Sequence, residues 1–183
     1  MEVIRRGGVV LHPTDTVFGL AAPAFNLRAL RRLGFLKGRR PQSPFLVLAS
    51  PEGISEIVSH IPLSLREMWG DFLKYPITAI LPSKVRFPYI TREGKIAVRI
   101  PDDEFLRKAL RDLGFPIAST SANLSGQVFS PSRALSYFLP MVDLVIWGEE
   151  RDPRPSTIVD FTGTYPRLVR AGSYLPPGLR LFP

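Results

Sequence analysis

The alternation of short apolar runs with helix-like segments is the feature that most constrains the fold of this 183-residue chain. Continuous apolar runs are typical of buried strands, whereas leucines spaced three and four residues apart are typical of helices. The last strand-like runs follow one another without helices between them, so we expect an α/β fold with a mixed β-sheet and flanking helices. The predicted strands are GGVVLHP, FLVLAS, ITAILP, IAVRIP, FPIASTSA, VDLVIWG, STIVDF and RLVRAG.

Capping residues mark the predicted helix boundaries. Asn26 can cap a helix over residues 27–37, in which leucines recur at helical spacing. Asp102 is expected to open a helix that stops at Gly114. Further helices are expected on either side of Pro62 and from Ser130 and Pro131.

Length and composition limit the class of protein. The chain is long enough for one domain with a substantial core, and we expect a single domain over residues 1–183. It has no cysteine, which excludes disulfides, thiolate metal sites and a cysteine nucleophile. No apolar run approaches the roughly eighteen residues of a membrane span, and the N-terminus lacks the apolar stretch of a signal peptide. A cytoplasmic protein without membrane contact is expected.

Positive charge is concentrated in one segment. The chain has 24 Lys and Arg against 16 Asp and Glu, a formal net charge of +8. The stretch from Arg28 to Arg40 holds six basic residues and no acid. An excess of this kind favours anionic partners such as nucleotides or RNA. We interpret Arg28, Arg31 and Arg32 as a solvated helix face.

Two polar clusters are candidates for ligand binding, although the usual phosphate-loop signatures are absent. In LKGRRP, Lys37 offers a compact charge and Arg39 a planar fork, which together can hold phosphates. The same cations would equally stabilise the C-terminus of a helix. The second cluster, STSANLSG at residues 119–126, can direct several donors at an anion. An ordinary Ser/Thr turn explains it as well.

Two further features lie near predicted strand ends. In HPTDTVFGL, residues 12–20, the proline ends a strand, and functional residues often lie in such loops. Arg99 is a lone cation inside the apolar run IAVRIP, so it needs water, an acid or a ligand such as a carboxylate. Asp15 is the only acid beside these loops. Chemistry driven by positioning therefore fits better than a side-chain nucleophile.

In combination these segments resemble a known family. HPTDTVFGLAA, LKGRRPQSPFLVL, IAVRIP, IASTSANLSG and STIVDF with RLVRAG occur in the order and approximate spacing of the threonylcarbamoyl-adenylate synthase, or YrdC-like, family. The resemblance runs from about Gly8 to Gly172 and is to the short, single-domain form. It implies an open twisted sheet with a concave basic face. It also implies a nucleotidyltransferase that converts L-threonine, bicarbonate or CO2, and ATP into threonylcarbamoyl-adenylate and pyrophosphate.

The resemblance also implies the partners of the protein. ATP would be a substrate that arrives with Mg2+, and no metal would be held by the protein itself. The adenylate would be used by a separate tRNA threonylcarbamoyl transferase complex, which modifies adenosine in tRNA. Transfer RNA or double-stranded RNA are candidate direct partners.

The family's site residues are carried over by motif position. Lys37 and Arg39 would neutralise charge on the ATP phosphates during catalysis, and Arg99 would bind the threonine carboxylate. Thr14 would contact threonine or only cap its turn. The full predicted ATP set is Lys37, Arg39, Ser43, Lys95, Asn123, Ser132 and Arg170, and the threonine set is Thr14, Thr16, Arg99, Ser121 and Ser156.

Several positions depart from the family pattern. Leu48 stands where relatives often have His, and Pro155 where Glu is usual. RRP replaces the usual Arg-Pro, and the loop after Asn123 is one residue longer than in some members. Of the site residues, Ser43 and Ser132 are therefore the least directly supported by the motifs. These departures favour a divergent member. The alternatives are a double-stranded RNA or tRNA-binding protein of the same fold, and a related carbamoyl-transfer enzyme.

Overall fold

Strands and short helices alternate along the described part of the chain, which comprises residues 1–123, 136–148 and 154–176 of a computed structural model. The strands are β1 Val10–His12, β2 Gly19–Pro23, β3 Leu46–Leu48, β4 Ile77–Pro82, β5 Thr91–Arg92, β6 Lys95–Arg99, β7 Ile117–Ser121, β8 Leu144–Val145, β9 Thr157–Asp160 and β10 Arg167–Arg170. The helices are α1 Glu2–Arg5, α2 Leu27–Lys37, α3 Ile54–Ile57, α4 Leu63–Glu67, α5 Trp69–Lys74 and α6 Glu104–Leu113, with a 3-10 turn at Leu139–Met141. The helix predicted from Ser130 and Pro131 begins outside these residues.

The described strands form one mixed sheet. Their order is β10-β9-β4-β6-β3-β7-β2-β1-β8, and β5 pairs with β6 beside this path. Three pairs are parallel, namely β1 with β8, β3 with β6 and β4 with β9. The other pairs are antiparallel. The predicted α/β fold with a mixed sheet is therefore confirmed.

Helix α2 has the boundaries that the sequence predicts. Asn26 Oδ1 accepts a hydrogen bond from the backbone N of Ala29 at 3.0 Å, which satisfies one of the donors left open at a helix start. The helix ends at Gly38, whose φ of 60° is left-handed and costs glycine little. This ending places Lys37 in the last turn, where it points into the protein and is 2% exposed.

Helix α6 begins one residue later than predicted. The cap is Asp103, whose Oδ1 accepts from the backbone N of Leu106 at 2.8 Å. The prediction that Asp102 opens the helix was wrong, because the Asp102 carboxylate instead forms an ion pair with Arg107 at 3.1 Å. The helix ends at Gly114 as predicted. Within the described residues no helix has the length and apolarity to cross a membrane.

Strands β2 and β5 and helix α1 were not predicted. Strand β2, Gly19–Pro23, is completely buried between β1 and β7, although glycine, alanine and proline are poor strand formers. Tertiary pairing on both sides holds it in the sheet. The first helix, Glu2–Arg5, has only four residues and too few apolar positions to show a helical period.

The two faces of the sheet carry cores of different size. Val47, Val98 and Ala79 are register partners on neighbouring strands and belong to the main apolar core. Side chains alternate along a strand, so Leu48 and its partner Arg99 lie on the opposite face. There Leu48 joins a smaller cluster with Leu110 and Leu113 of α6. This small cluster covers only part of the face and leaves room for a cavity beside it.

Candidate active site

A cavity of about 200 Å³ lies on the face of the smaller core. It is smaller than the roughly 300–1,000 Å³ pockets that enclose drug-sized ligands, so it fits a small polar molecule better than a whole nucleotide. The loop between β1 and β2 and several strands form its walls. Seven of the predicted site residues line it: Thr14, Thr16, Arg39, Arg99, Ser121, Ser156 and Arg170.

Arg99 forms the most buried charged contact of the cavity. Its Nη2 lies 2.6 Å from Asp15 Oδ2, and the two side chains are only 5% and 8% exposed. Its Nη1 donates a hydrogen bond to Thr16 Oγ1 at 3.2 Å. Nε and Nη2, the edge of the guanidinium that grips a carboxylate with two parallel bonds, have no well-directed hydrogen-bond partner among the described residues. We call Asp15, Thr16 and Arg99 the Arg99 end of the cavity.

Several hydroxyl groups lie around the Arg99 end. Their hydrogen-bond partners show which of them stabilise the turn and which lie in the cavity wall. Thr14 Oγ1 donates to the carbonyl of Val17 at 2.8 Å and accepts from the backbone N of Thr16 at 3.0 Å. Thr14 therefore stabilises the turn that carries Thr16, which is one of the two roles expected for it. Ser156 Oγ lies 2.8 Å from Thr78 Oγ1, and both side chains are buried in the cavity wall.

Two further arginines line the cavity, and no described acid forms an ion pair with either of them. Arg39 Nη1 donates to the carbonyl of Pro44 at 3.4 Å, and its guanidinium lies 5.3 Å from the centre of the Phe45 ring. Arg170 donates to the carbonyl of Ser156 at 2.8 Å. A register shift between β9 and β10 precedes Arg170, and such bulges redirect side chains.

The pKa values of these arginines are lowered first by burial and, for Arg170, also by neighbouring positive charge. Burial lowers the pKa of Arg39. Burial and then the charges of Arg39 and Arg99 lower the pKa of Arg170. Burial and the repulsion between cations both favour a bound anion. Its negative charge would interact with the guanidinium groups in place of water and would offset the repulsion. We call Arg39 and Arg170, together with the buried Lys37 beside them, the Arg39 end of the cavity; Lys37 itself is not among the residues that line the cavity.

Lys37 connects the end of α2 to the end of β7. Its ammonium group donates to the carbonyl of Ser121 at 2.8 Å and to Asn123 Oδ1 at 3.0 Å, and it also donates to the Asn123 carbonyl. Burial, and secondarily the charge of Arg39, lower the pKa of Lys37 to about 8. The structure thus brings the two predicted polar clusters, LKGRRP and STSANLSG, into direct contact.

A second cavity adjoins the first. It has a volume of about 510 Å³ and is lined by Gly38, Arg39, Arg40, Ser43 and Pro44. Arg39 and Pro44 line both cavities. A ligand longer than an amino acid can therefore extend from the smaller cavity along the loop after α2, where the predicted residue Ser43 lies.

One predicted ATP residue, Lys95, is not brought into this arrangement. Lys95 lies at the other end of β6, about 13 Å from Arg99 at the usual strand rise, and its Nζ forms an ion pair with Asp160 at 3.0 Å. Hydrogen bonds from Thr162 and Lys95 outweigh burial and lower the pKa of Asp160, so this pair is well satisfied. Ser132 lies outside the described residues.

The cavity also contains residues that the sequence analysis did not assign to the site. Asp15 was identified only as the lone acid near the loops, and it contacts Arg99 directly. Thr78 was read as part of an apolar strand, although a polar residue within ITAILP is the signal that could have found it. Leu48 and Pro155, two of the departures from the family pattern, both line the cavity.

The described residues contain no group of three or more His, Asp or Glu side chains placed to hold a metal ion. Asp15 is the only acidic side chain among the described residues that line the smaller cavity. A divalent cation at this site would therefore depend on ligands that the substrate supplies.

Together, the fold and the cavity define an open α/β protein whose sheet carries a small binding site built from arginines and hydroxyl groups. A model of the Sua5/YciO/YrdC family, described as telomere recombination, matches residues 2–172. The chain belongs to this family, as its motifs suggested.

Characterised relatives extend the comparison. The threonylcarbamoyl-AMP synthase of Pyrococcus abyssi (strain GE5 / Orsay) is 34% identical over 176 residues, covering 92% of this chain and 52% of that protein. The crystal structure of P. abyssi Sua5 complexed with L-threonine has a TM-score of 0.85 at 32% identity, covering 93% of this chain and 52% of that one. E. coli YciO has a TM-score of 0.83 at 26% identity, covering 94% and 86%. The chain spans about half the length of the P. abyssi protein.

Proposed function

We propose that the protein is an L-threonylcarbamoyladenylate synthase, which forms threonylcarbamoyl-AMP and pyrophosphate from L-threonine, bicarbonate or CO2, and ATP. The observation that carries this proposal is the cavity that joins Arg99 and Thr16 to Arg39 and Arg170. It offers a carboxylate site and an anion site next to each other. The names of the P. abyssi relatives, a threonylcarbamoyl-AMP synthase and a Sua5 complexed with L-threonine, support the same substrates.

The Arg99 end would bind L-threonine. Arg99 Nε and Nη2 present two parallel donors without well-directed partners, which suit the amino-acid carboxylate. Thr16 and the Ser156–Thr78 pair would face the polar atoms of the ligand. Ser121, at the end of β7, would complete this set.

The Arg39 end would bind the ATP phosphates. Arg39 and Arg170 have no acid beside them among the described residues, and Lys37 lies next to Arg39. The adjoining cavity, which Ser43 helps to line, gives room for the rest of the nucleotide. Asn123 would be held in place by its bonds with Lys37. Contacts from Lys95 and Ser132 remain predictions.

Mg2+ would enter as part of the substrate, held by the phosphates of ATP, and would add positive charge at the reacting phosphate.

The proposed reaction has two steps. The neutral amine of threonine attacks the carbon of CO2, a nitrogen–carbon bond forms and the amine releases a proton, which yields a carbamate. A carbamate oxygen then attacks the α-phosphorus of ATP, and the bond to pyrophosphate breaks. Arg39 and Arg170 would stabilise the charge that develops on the phosphates. Positioning by the two ends of the cavity would lower the barrier without a covalent enzyme intermediate.

The product is a mixed anhydride, so a group-transfer enzyme must consume it. We propose that this enzyme is the tRNA threonylcarbamoyl transferase complex of the cytoplasm. Direct contact with tRNA is compatible with the net charge of +8.

Pyrophosphate release tests the proposal. The protein is incubated with ATP, Mg2+ and bicarbonate, with and without L-threonine, and L-serine serves as the control amino acid. Release that requires both threonine and bicarbonate is expected. ATP binding without release under any of these conditions would contradict the proposed substrate, and Leu48, which lines the cavity in place of the usual His, would then be the first residue to exchange.

A further inference from the structure

Asp15 is an acid in a cavity otherwise dominated by positive charge. Among the described residues that line the cavity it is the only acid, whereas Arg39, Arg99 and Arg170 are all present. A site built solely for anions would gain from losing this carboxylate, because a negative group repels a bound carboxylate or phosphate. Asp15 neutralises the buried Arg99, and a ligand that carries both a negative and a positive group would complement the two residues together.

The two oxygens of Asp15 have different surroundings. Oδ2 lies 2.6 Å from Arg99 Nη2 and accepts a hydrogen bond from the backbone N of Asp102 at 3.2 Å. Oδ1 is buried and has no hydrogen-bond partner among the described residues. A buried carboxylate oxygen without a donor is unfavourable. Oδ1 is thus an acceptor that a ligand can satisfy.

Arg99 presents the complementary case, since it has donors that lack acceptors. Its buried Nε has no acceptor among the described residues, and Nη2, which forms the ion pair with Asp15 Oδ2, is not well directed at it and has a second N–H to donate. Arg99 thus offers two donors on a cation, and the adjacent Asp15 offers one acceptor on an anion. An α-amino acid has a carboxylate and an ammonium group on neighbouring atoms, and its charges would alternate with those of Arg99 and Asp15.

We propose that Asp15 Oδ1 accepts a hydrogen bond from the α-amino group of the substrate and so makes the site selective for α-amino acids over other small carboxylates. This inference rests on the proposed function and assigns one more recognition residue to the same site. An ionised carboxylate only accepts hydrogen bonds. Asp15 would therefore hold the amine by its N–H groups in both the ammonium and the neutral form, and the lone pair of the neutral amine would point away from it.

The test compares two ligands on two variants by calorimetry. The ligands are L-threonine and 2,3-dihydroxybutanoate of matching configuration, in which a hydroxyl group replaces the amine. The variants are Asp15→Asn, which keeps the shape and one oxygen, and Asp102→Asn, a neighbouring and more exposed Asp whose backbone N is unchanged. We expect Asp15→Asn to weaken threonine binding about thirtyfold, as for hydrogen bonds to charged groups. Binding of the hydroxy acid should change less than about threefold, and Asp102→Asn should alter neither ligand.

The possible outcomes separate this inference from the proposed function. If wild-type protein binds threonine and releases pyrophosphate, but Asp15→Asn binds threonine equally well, only the inference is wrong. Equal weakening of both ligands would also overturn it, since Asp15 would then act only by orienting Arg99. If wild-type protein binds no threonine and releases no pyrophosphate, the proposed function fails with it.

A measurement on unmodified protein covers the case in which Asp15→Asn does not fold. Wild-type protein should bind L-threonine at least about thirtyfold more tightly than the hydroxy acid, because only the amino acid supplies a positive group to Oδ1. Equal affinity for the two ligands would overturn the inference without any variant.

Discussion

The Arg99 end and the Arg39 end of the cavity carry the same kind of side chain in different electrostatic surroundings. Arg99 lies 2.6 Å from an acid and is 5% exposed. Arg39 and Arg170 have no acid within ion-pair distance among the described residues and donate to backbone carbonyls. Burial and the repulsion between neighbouring cations lower the pKa of Arg170, and burial lowers that of Arg39. One end is neutralised within the protein, and the other is not.

This difference indicates what each end binds. A neutralised pair of opposite charges suits a ligand that is itself neutral overall but carries both charges, such as an amino acid. A cluster of unneutralised cations suits a polyanion, such as the phosphates of ATP. The two ends should therefore respond differently to removal of a cation, to pH and to salt.

The largest difference is expected in stability. Arg99→Met leaves the buried carboxylate of Asp15 without its cation, and we expect the free energy of unfolding to fall by about 3 kcal/mol. Arg39→Met removes a cation that has no acid partner in the described part of the chain, so the change should stay below about 1 kcal/mol, mainly the lost contact with Phe45. Urea unfolding at pH 7 measures both.

The double variant Asp15→Asn with Arg99→Met is the control for this result. It removes both charges, and it should recover most of the stability that Arg99→Met loses. No recovery would mean that Arg99 stabilises the fold by packing and not through Asp15.

Activity, unlike stability, should depend strongly on Arg39. Arg39→Ala is expected to lower pyrophosphate release about a hundredfold, equivalent to roughly 2.7 kcal/mol, because a charge that faces the phosphates is lost. Arg31→Ala, on the exposed side of α2, is the matched control and should retain activity. A loss of less than about tenfold for Arg39→Ala would contradict the assignment of this end to phosphate.

The sequence predicts much of this arrangement where local chemistry decides it. The cap at Asn26 and the left-handed Gly38 place Lys37 in the last turn of α2. Arg99 is conspicuous as a cation in an apolar strand, and it lies in the cavity as the sequence suggested. In both cases a few adjacent residues carry the information.

The remainder depends on contacts between distant segments. Strand β2 forms because β1 and β7 pair with it, which its glycine and alanine content does not predict. The ion pair of Arg99 with Asp15 joins residues far apart in the chain, so the sequence left an internal pair and a ligand as equal alternatives for Arg99. The structure contains the internal pair, and two donors of Arg99 still lack well-directed partners.

ATP binding at the Arg39 end should depend on pH. Lys37 has a pKa of about 8 because burial and the charge of Arg39 disfavour its charged form. Raising the pH from 7 to 9 deprotonates it, and we expect ATP affinity to fall by up to about tenfold. Lys37→Arg keeps its charge over this range and should remove most of the decline. An unchanged wild-type affinity would show that Lys37 does not act through its charge.

The free energy of unfolding should rise as the pH increases, whereas ATP affinity falls, and it should do so over a higher pH range. The unfolded chain keeps the Lys37 proton up to its ordinary pKa of 10.5, whereas the folded chain releases it near 8. Between these values the unfolded state binds more protons, so the contribution of Lys37 to the free energy of unfolding rises with pH. Comparison of wild type with Lys37→Met by urea unfolding at pH 7.5 and 9.5 isolates this contribution.

Salt should have the smallest effect and should act on one end only. Added KCl screens the partly exposed cations of the Arg39 end, because the screening length falls from about 10 Å at 0.1 M to about 3 Å at 1 M. From 0.1 to 0.5 M KCl we expect the Kd for ATP to rise about threefold, as measured by calorimetry. Threonine binding should change little, since Arg99 and Asp15 are 5% and 8% exposed and the ligand has no net charge. Equal salt sensitivity of the two ligands would mean that both ends bind through accessible, unneutralised charge.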